Sequence, residues 1–428
     1  MGKSPDEKTR PHDTQRPEYP NLRHIRLLTA AIRLQSLSAA AETIHVSQPA
    51  ASQAIAKLGK LFGADLLTRQ GNGVSATPSG EILDRRARRA LAYLAEAARR
   101  MATKSRLSKG LVVDSLERHA TVAQLRAISA FAENGSFAAA ARALGQAEPS
   151  LQRAARDLER IVGVPLFDGA YRSLHLTPDG EMLAARASLT LKEFQAAREE
   201  LRALRGVFDG RLVIGALPMA RTRIVPSAIV AVAAKYPSAR IALVEGSYES
   251  LAHQLAIGRL DMIVGALRET GVPASFVEEP LFEDELSVVA RAGHPLTGIA
   301  SPTAADLSRH PWVLARQGTP NRAIFDRLAS GFPPGAPEGH VETGSLVALR
   351  GILLQSDHLT LISPAQVEYE LATGLLAEIA FNVPGTRRSI GITTRADWQP
   401  TALQQDFRSA LMAAIAEKPA LRGQRHLG

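Results

Sequence analysis

The sequence lacks several features that would each point to a particular class of protein. It has no cysteine in 428 residues, which excludes disulfides, thiol nucleophiles and cysteinyl metal ligands. Aromatic residues make up only 5% of the chain, and no apolar run reaches the roughly 18 residues of a membrane span. The first 20 residues are polar and Pro-rich and lack the apolar core of a signal peptide. We therefore expect a cytoplasmic protein whose residues 1–20 form a disordered leader.

Patterns typical of enzymes are also missing from the sequence. The histidines between His24 and His358 show neither HxxxH spacing nor the paired acidic neighbours of a zinc site. No Gly-rich phosphate loop of the Walker type occurs, and the carboxylates between Asp306 and Asp357 show no evident pairing. The sequence therefore predicts no catalytic residue, no metal and no cofactor.

Excess positive charge is present in only one half of the chain. Residues 1–210 hold 31 Lys and Arg against 22 Asp and Glu, whereas residues 211–428 hold 20 of each kind. The first half therefore carries the whole net charge of +9. A basic region joined to a neutral one indicates a polyanion-binding module attached to a different domain. Solvated surface arginine is the alternative explanation.

The basic half contains one segment twice. Residues 22–83 align without a gap with residues 122–183, and 16 of the 62 aligned pairs are identical. The identical pairs include Pro49 with Pro149 and a Thr-Pro-x-Gly-Glu block near the end of each copy. Two copies of one small domain is the simplest interpretation.

Each copy is predicted to form three short helices and a β-hairpin wing. In the second copy, Asn134-Gly135 ends the first helix, Ser136 caps the next one, and Gly163 ends the third. A long helix rich in Ala, Leu, Arg and Glu follows each wing. The predicted boundaries are residues 21–78 for the first winged helix-turn-helix, 79–110 for its linker helix, 118–178 for the second winged helix-turn-helix and 179–206 for its linker helix.

The helix-turn-helix pattern predicts contact with double-stranded DNA. Its second helix fits the major groove, where the side chains of its first turns meet base edges. Gln48 and Gln53 match the donor–acceptor pair of adenine, whereas Ser52 suits a base or a phosphate and Arg69 suits a phosphate. The candidate DNA-binding residues are Ser38, Ser47, Gln48, Pro49, Ser52, Gln53 and Arg69 in the first copy, and Gln152, Arg153 and Arg172 in the second.

The chain resembles LysR-type transcriptional regulators. The first copy resembles their winged helix-turn-helix in the strings SLSAAAETIHVSQPAASQAIAKL, LFGADLLTR and TPSGEIL, and the second in GSFAAAARALGQAEPSLQRAARDLERIVGVPLF and LTPDGEML. Beyond residue 210, the strings GALPMARTRIVP, VEGSYESL, LDMIVGALR and VVARAGHPL are similar to the subgroup of galactose-binding-protein and protocatechuate-pathway regulators. The resemblance covers about residues 20–417 and implies a DNA-binding transcription factor controlled by a small-molecule effector.

The two copies depart from the family pattern in different ways. The family's recognition helix usually reads Ser-Gln-Pro-Ala-x-Ser-Arg, and the first copy differs only in Gln53 at the arginine position. The second copy keeps Arg153 but has Ala147, Glu148 and Gln152 where the family has Ser, Gln and Ser. Two interpretations of the second copy stay open: a working reader of altered specificity, or a degenerate domain kept for packing or dimerisation.

The resemblance also makes a prediction about the two long helices. The family's linker helix normally pairs antiparallel with the same helix of a partner chain, whereas this chain has two such helices. We expect them to pair with each other, so that one chain forms a pseudo-dimer and a chain dimer carries four readers. The first long helix carries arginines that either contact flanking DNA or form a solvated face: Arg85, Arg86, Arg88, Arg89, Arg99 and Arg100.

Residues 210–420 are predicted to form an effector-binding domain. Strands alternate with helices there, which indicates an α/β fold with mostly parallel sheets. The resemblance implies the type-2 periplasmic-binding-protein fold, in which the effector lies between two lobes. The predicted lobes are residues 210–290 plus 383–420 and residues 291–382.

Several polar residues of this domain are candidates for holding the effector. Free N–H groups at helix starts suit an anion, and arginine binds a carboxylate bidentately. Salt bridges are the alternative role for the arginines, and helix caps are the alternative for Thr222 and Ser247. The candidate effector-binding residues, for a carboxylate or a sugar derivative, are Arg221, Thr222, Ser247, Arg268 and Thr319.

A solute-binding protein with a structural N-terminal dimerisation region is the alternative function. That class needs an export signal and leaves two helix-turn-helix copies unexplained. We therefore expect a multidomain regulator: two all-α winged helix-turn-helix domains with long linker helices, followed by a two-lobed α/β domain. Its expected partners are double-stranded DNA, a small-molecule effector and further copies of itself, and the resemblance also implies RNA polymerase.

Overall fold

The computed structural model describes residues 19–71, 73–102, 116, 118–170, 173–268, 270–333 and 340–417. The chain divides between Val207 and Phe208 into two structural units. No helix in these described ranges combines the length and the apolar content that crossing a bilayer requires.

The first unit repeats one order of elements. It begins with helices α1 (Leu22–Leu34), α2 (Leu37–Thr43) and α3 (Gln48–Phe62), the hairpin β1 (Leu67–Gln70) and β2 (Gly73–Ala76), and the long helix α4 (Pro78–Ala102). It continues with α5 (Val122–Asn134), α6 (Phe137–Leu144), α7 (Glu148–Val162), the hairpin β3 (Phe167–Asp168) and β4 (His175–Leu176), and the long helix α8 (Pro178–Ala203).

The helix ends in this unit follow from local capping residues. Ser36 and Ser136 accept hydrogen bonds from backbone N–H groups at 3.2 Å and so begin α2 and α6. Gly63 and Gly163 end α3 and α7 with φ angles of 68° and 64°. Glycine takes this left-handed conformation at low cost because it has no Cβ. The predicted caps and helix ends are confirmed at these positions.

One apolar core runs through both copies and both long helices. It contains the fully buried Leu58 and its equivalent Leu158. A second, smaller core lies inside the first copy and consists mostly of alanines from α1, α2 and α3. At the corresponding place in the second copy, Phe131, Phe137 and Phe167 pack with ring centroids 4.7 to 5.6 Å apart.

Helices α4 and α8 pack against each other in antiparallel orientation. Arg86 near the start of α4 donates to Glu200 near the end of α8 (2.9 Å), whereas Arg186 near the start of α8 donates to Glu96 near the end of α4 (2.8 Å). Between these contacts, the hydroxyl of Thr190 donates to the carbonyl of Ala90 (3.2 Å). Residues 90 and 190 are equivalent in the repeat, so an approximate two-fold axis passes between them.

The second unit alternates strands and helices. Its elements are β5 (Arg211–Ala216), α9 (Ile224–Lys235), β6 (Arg240–Glu245), α10 (Tyr248–Ala256), β7 (Met262–Ala266), β8 (Phe276–Asp284), β9 (Ser287–Arg291), α11 (Ala304–Leu307), β10 (Trp312–Leu314), α12 (Pro320–Ala329), β11 (His340–Glu342), α13 (Leu346–Gln355), β12 (Leu359–Ile362), α14 (Glu368–Ala372), β13 (Leu376–Glu378), β14 (Arg388–Arg395) and α15 (Ala402–Ala416). Short 3-10 helices cover Pro218–Arg221, Pro295–Gly298 and Pro364–Gln366.

The strands form two five-stranded sheets of mixed direction. The strand orders are β6-β5-β7-β14-β8 and β11-β10-β12-β9-β13. In each sheet two pairings are parallel and two are antiparallel among the described strands. The prediction of mostly parallel sheets is therefore wrong, because an apolar strand pattern does not show the direction in which the strand runs.

Strand β9 pairs within the second sheet, although the predicted boundary at residue 290 placed it in the first lobe. The chain crosses from the first sheet to the second between Asp284 and Ser287 and returns between Glu378 and Arg388. The stretch 286–291 was predicted as a crossover strand, but the lobe boundary was placed after it, because an apolar pattern does not show with which sheet a strand pairs. Each sheet packs against apolar clusters of its own.

Candidate functional site

Helix α3 exposes the residues predicted to read DNA. Ser47 precedes the helix, and its hydroxyl accepts a hydrogen bond from the N–H three residues on (3.4 Å). Gln48, Ser52 and Gln53 are exposed, whereas Leu58 and the alanines on the opposite face are buried. The helix thus packs through one face and leaves the predicted residues accessible on the other.

The remaining candidates of the first copy are also exposed. Pro49 lies in the first turn of α3 and Ser38 lies on α2. Arg69 lies on β1 and pairs across the wing with Val74, whose N–H donates to the carbonyl of Gln35 at the end of α1 (3.0 Å). The wing that carries Arg69 is therefore tied to the helical part of the same copy.

An arginine fixes the turn between α2 and α3. The guanidinium of Arg23 donates to the carbonyls of Ile44 (3.4 Å) and His45 (2.9 Å). His45 has a φ of 54°, in the left-handed region that non-glycine residues rarely occupy. Burial lowers the pKa of His24 beside this turn, and the positive charges of Lys57 and Arg23 lower it further. The turn holds α3 at a defined angle to α2.

The second copy presents a different recognition helix. Ala147 gives α7 no side-chain cap, and the acidic Glu148 is its first residue. Gln152 is half-buried, whereas Arg153 is exposed. Arg172, the remaining candidate of this copy, lies outside the described residues. Among the candidates of this copy that the structure describes, Arg153 is therefore the exposed one.

Charge distinguishes the two recognition helices. Helix α3 contains the exposed Lys57 and Lys60 and no acidic residue. Helix α7 contains three arginines and three acidic residues, and much of this charge is paired within the helix. Arg156 donates to Glu159 (2.7 Å), and Arg160 forms an ion pair with Asp157 of the same helix. Helix α3 therefore has the stronger attraction for phosphates.

Among the arginines of α4, Arg86 is buried and Arg89 is half-buried, whereas the others are exposed, so the interpretation of a solvated face is wrong for Arg86 and Arg89. Only 3% of the Arg86 side chain is exposed, and its guanidinium lies between Glu193 (3.0 Å) and Glu200. Arg89 donates to Glu193 (3.0 Å), and Arg85 donates to Glu200 (2.5 Å). Burial by itself lowers the pKa of Arg86, but Glu200 and Glu193 outweigh it and raise the pKa above its usual value.

Four of the five predicted effector residues lie at one edge of the first sheet. Arg221 and Thr222 follow β5, Ser247 follows β6 and Arg268 follows β7, and these three strands are parallel neighbours. The carboxyl ends of parallel strands meet at the same sheet edge, so the structure brings these residues to a common edge. Thr319 instead follows β10 in the second sheet.

Both predicted arginines at this edge already form ion pairs with glutamates. Arg221 donates to Glu245 (2.5 Å), and Arg268 donates to Glu249 (3.1 Å). The guanidinium of Arg268 also lies over the ring of Tyr248, 4.2 Å from its centroid. Burial raises the pKa of the Tyr248 phenol. The salt-bridge alternative therefore describes both arginines in this structure.

The hydroxyl candidates cap helices or bridge segments. Ser247 accepts from a backbone N–H of α10 and Thr319 from one of α12, each at 3.3 Å. Thr222 does not cap α9, since Arg223 occupies the position before that helix. The Thr222 hydroxyl instead lies within hydrogen-bonding distance of the carbonyls of Met219 (3.2 Å) and of Ala365 (3.4 Å) in the turn after β12. Next to it, Arg223 forms an ion pair with Glu368 (3.2 Å). These contacts join the segment after β5 to the segment after β12.

The sequence did not single out a buried polar network at the crossover. The hydroxyl of Ser363 donates to one oxygen of Asp284 (2.6 Å), and Arg388 donates to the other (2.7 Å). Arg388 also donates to Asn321, two residues after Thr319. Ser363 directly follows the apolar strand β12, and this signal could have identified it. Asp284 ends a strand of mixed polar and apolar residues, which gives no such signal. Arg388 begins a strand and has no comparable signal.

No group of three His, Asp or Glu side chains is arranged to hold a metal ion within the ranges that the structure describes. The site chemistry consists of hydrogen-bonding and charged side chains on exposed helices and at strand ends.

Comparison with known proteins identifies the class of this chain. The family model for the bacterial regulatory helix-turn-helix protein, lysR family, matches residues 22–81 and again residues 122–181. The model for the LysR substrate binding domain matches residues 205–416. The chain therefore belongs to the LysR family of transcriptional regulators, which join a DNA-binding helix-turn-helix to an effector-binding domain. This assignment favours the regulator over the solute-binding alternative.

Individual relatives match over long stretches. The HTH-type transcriptional regulator GalR of Pseudomonas putida is 33% identical over 400 residues, which are 94% of this chain and 98% of the relative. The HTH-type transcriptional regulator PcaQ of Agrobacterium fabrum is 29% identical over 287 residues, 67% of this chain and 91% of the relative. A solved full-length OxyR variant from Pseudomonas aeruginosa is 24% identical with a TM-score of 0.57, covering 72% of this chain and 99% of that chain. The OxyR likeness shows a shared fold.

Proposed function

We propose that this regulator binds operator DNA through both helix-turn-helix copies, which one chain presents as an intramolecular pseudo-dimer. The observation that carries the proposal is the contact of α4 with α8 about Ala90 and Thr190. Equivalent residues of the two copies meet there, and a two-fold axis is the symmetry with which dimers address paired half-sites. The GalR alignment supports a tandem arrangement, because its 400 residues leave fewer of the 428 unmatched than one copy contains.

The first copy acts as the principal reader, and the second acts as an altered reader. Helix α3 combines exposed Gln48, Ser52 and Gln53 with unopposed lysine charge, and its wing has four-residue strands. Helix α7 offers the exposed Arg153, which suits guanine, but its other charges are largely paired. A dimer of chains would carry two readers of each kind.

The effector is a small carboxylate or a sugar derivative that binds between the two sheets of the second unit. Arg221 and Arg268 are only 21% and 22% exposed, whereas their partners Glu245 and Glu249 are 62% and 73% exposed. Ion pairs with such exposed partners are weak, so a ligand carboxylate can replace the glutamates at small cost. A ligand at this edge would alter the contacts that Thr222 and Arg223 make with the segment after β12. This change would shift the balance between conformations that space the DNA readers differently.

DNA footprinting of the full chain tests the DNA-binding proposal. We expect a chain dimer to protect four half-sites, with neighbouring ones about 34 Å apart. The affinity should fall by about a thousandfold or more between 50 and 200 mM salt if 6–10 phosphates are contacted. A dimer that protects only two half-sites, with a footprint unchanged by deletion of residues 1–110, would contradict the pseudo-dimer.

Calorimetric titration with candidate carboxylates and sugars tests the effector proposal. Arg221→Ala and Arg268→Ala should each weaken binding of a carboxylate by about tenfold, the size of one charged hydrogen bond. Glu245→Gln serves as the matched control, since it frees Arg221 and should strengthen binding. Unchanged affinity in all three variants would place the effector elsewhere.

A further inference from the structure

The charges that join the two long helices are divided unequally between them. Arg85, Arg86 and Arg89 of α4 all donate to carboxylates of α8, namely Glu193 and Glu200. The two glutamate side chains are only 8% and 13% exposed. At this end of the contact, α4 therefore supplies positive charge and α8 supplies the acceptors, in surroundings with little water.

We propose that this charge division selects the pairing of α4 with α8 and rejects the pairing of α4 with the α4 of a second chain. The inference rests on the pseudo-dimer proposed above and adds the residues that choose the partner helix. A linker helix in this family usually pairs with its own copy in another chain, so a tandem chain needs a way to avoid wrong pairings. Buried charges are well suited to this, because an unpaired one is costly in a low dielectric.

The hundred-residue offset shows what α4 would meet in a second copy of itself. The two-fold axis exchanges each residue of α4 for the residue one hundred positions later in α8. In an α4–α4 pair, Tyr93 would therefore take the place of Glu193, and Arg100 would take the place of Glu200. Arg86 would lose both of its present acceptors and lie near another arginine.

Few acceptors would remain in such an α4–α4 pair. Glu96 would occupy the position from which it now binds Arg186 (2.8 Å), and Arg86 of the second chain would take the place of Arg186. Asp84, the other carboxylate of this stretch, already accepts from Arg88 of its own helix (2.6 Å). One glutamate per helix would then face four arginines per helix: Arg85, Arg86, Arg89 and Arg100. Like charges placed together in an interface suppress the wrong partner.

Helix α8 carries no such restriction. Arg186 is the residue of α8 that corresponds to Arg86 of α4. In an α8–α8 pair, Arg186 of each helix would therefore face Glu193 and Glu200 of the other helix. The selection therefore comes from α4, which requires α8 as its partner. Because each chain has one helix of each kind, pairing within the chain satisfies every α4. Separate chains must then associate through surfaces other than these two helices.

Introduced cysteines can test the pairing directly, because the chain has none of its own. Ala90 and Thr190 lie on the two-fold axis and are fully buried. We expect Ala90→Cys with Thr190→Cys to form a disulfide within one chain on oxidation, seen as a faster monomer band on a non-reducing gel at every protein concentration. Ala90→Cys alone should give no covalent dimer. A covalent dimer of the single variant, or a double variant that cross-links only between chains, would overturn the proposal.

Charge reversal provides a second measurement that does not depend on disulfide geometry. Arg86→Glu should lower the melting temperature of the first unit by several degrees, and reversing the rest of the cluster with Arg85→Glu, Arg89→Glu, Glu193→Arg and Glu200→Arg should recover at least half of the loss. Arg88→Glu is the matched control, because Arg88 is 58% exposed and its ion pair lies within α4. It should change the melting temperature little. Absence of recovery in the Arg86 series would also overturn the proposal.

These outcomes are separate from those that test DNA binding. If the unmodified protein failed to bind DNA, the proposed function would be contradicted while the cross-linking pattern still reported the helix pairing. If DNA were bound but Ala90→Cys cross-linked two chains, the charge selection alone would be contradicted.

Discussion

The two copies of the helix-turn-helix have the same backbone plan but different chemistry. Both keep several residues that begin or end their helices, such as Pro49 and Pro149 or Gly63 and Gly163. Both also keep a long helix that begins with Thr-Pro-x-Gly-Glu. The surface of the recognition helix is not kept, since Lys57 corresponds to an aspartate in the second copy. Several residues that determine the fold have thus been retained, whereas residues predicted to contact DNA have changed.

The interiors of the two copies differ as much as their surfaces. Ala31 of the first copy corresponds to Phe131 of the second, which packs with Phe137 and Phe167. Large aromatic side chains bury more apolar area than alanine, so they stabilise a domain more. The second copy therefore has the interior expected of a structural element, whereas the first copy is the one that we propose as the principal DNA reader. Four sets of substitutions test this comparison.

The largest effect is expected from Phe131→Ala, which gives the second copy the residue of the first. Phe131 is only 3% exposed, so the loss in free energy of unfolding should be about 3–5 kcal/mol. Circular dichroism at 222 nm under increasing urea measures it. Both tryptophans, Trp312 and Trp398, lie in the second unit, so their fluorescence should report an unchanged midpoint for that unit.

A matched control for this substitution is Val230→Ala in the second unit. Val230 is 70% exposed, and its truncation should change stability by less than about 0.5 kcal/mol. If Phe131→Ala were as mild as Val230→Ala, the aromatic cluster would not distinguish the two copies.

The next effect concerns DNA affinity. Ser52→Ala with Gln53→Ala should weaken operator binding about 100-fold, because each base contact contributes roughly 1–3 kcal/mol. Gln152→Ala with Arg153→Ala should weaken it about tenfold, since only Arg153 of that pair is fully exposed. Both pairs are compared by gel shift at one salt concentration. Equal losses would mean that the two copies are equivalent readers.

A smaller effect is expected from exchanging the caps of the recognition helices. Ser47→Ala removes the side-chain cap of α3 and should cost about 1 kcal/mol, whereas Ala147→Ser supplies α7 with a cap and should add up to about the same amount. Thermal unfolding followed by circular dichroism compares the two. A gain from Ala147→Ser without a loss from Ser47→Ala would show that the cap of α3 contributes little.

The smallest effect is expected at the turn between the second and third helices. His45 and its equivalent Gly145 have φ angles of 54° and 59°. Gly145→Ala should cost about 1 kcal/mol because alanine is strained there, and His45→Gly should gain a few tenths, since relief of strain is partly offset by backbone entropy. Urea midpoints measure both. Destabilisation by His45→Gly would show that the hydrogen bond from Arg23, rather than the residue at position 45, controls the turn.

Much of the candidate site could be predicted because its signals are local. The exposed positions of Gln48, Ser52 and Gln53 follow from a helix that begins after Ser47 and buries every third or fourth residue. The ion-pair partners of Arg221 and Arg268 could not be predicted, because only the folding of the sheet brings Glu245 and Glu249 close to these arginines. Asp284 and Arg388 were missed for the same reason, because they are far apart in the chain and meet at the crossover.

The sequence by itself determined the duplicated order of helices and wings, the caps and the alternation of strands and helices in the second unit. These features depend on residues a few positions apart, so a local pattern contains them. Tertiary structure alone decided the direction of half the strand pairings, the sheet to which β9 belongs and the burial of Arg86. An arginine on an isolated helix is solvated, and it becomes a buried, paired charge only when glutamates more than one hundred residues away pack against it.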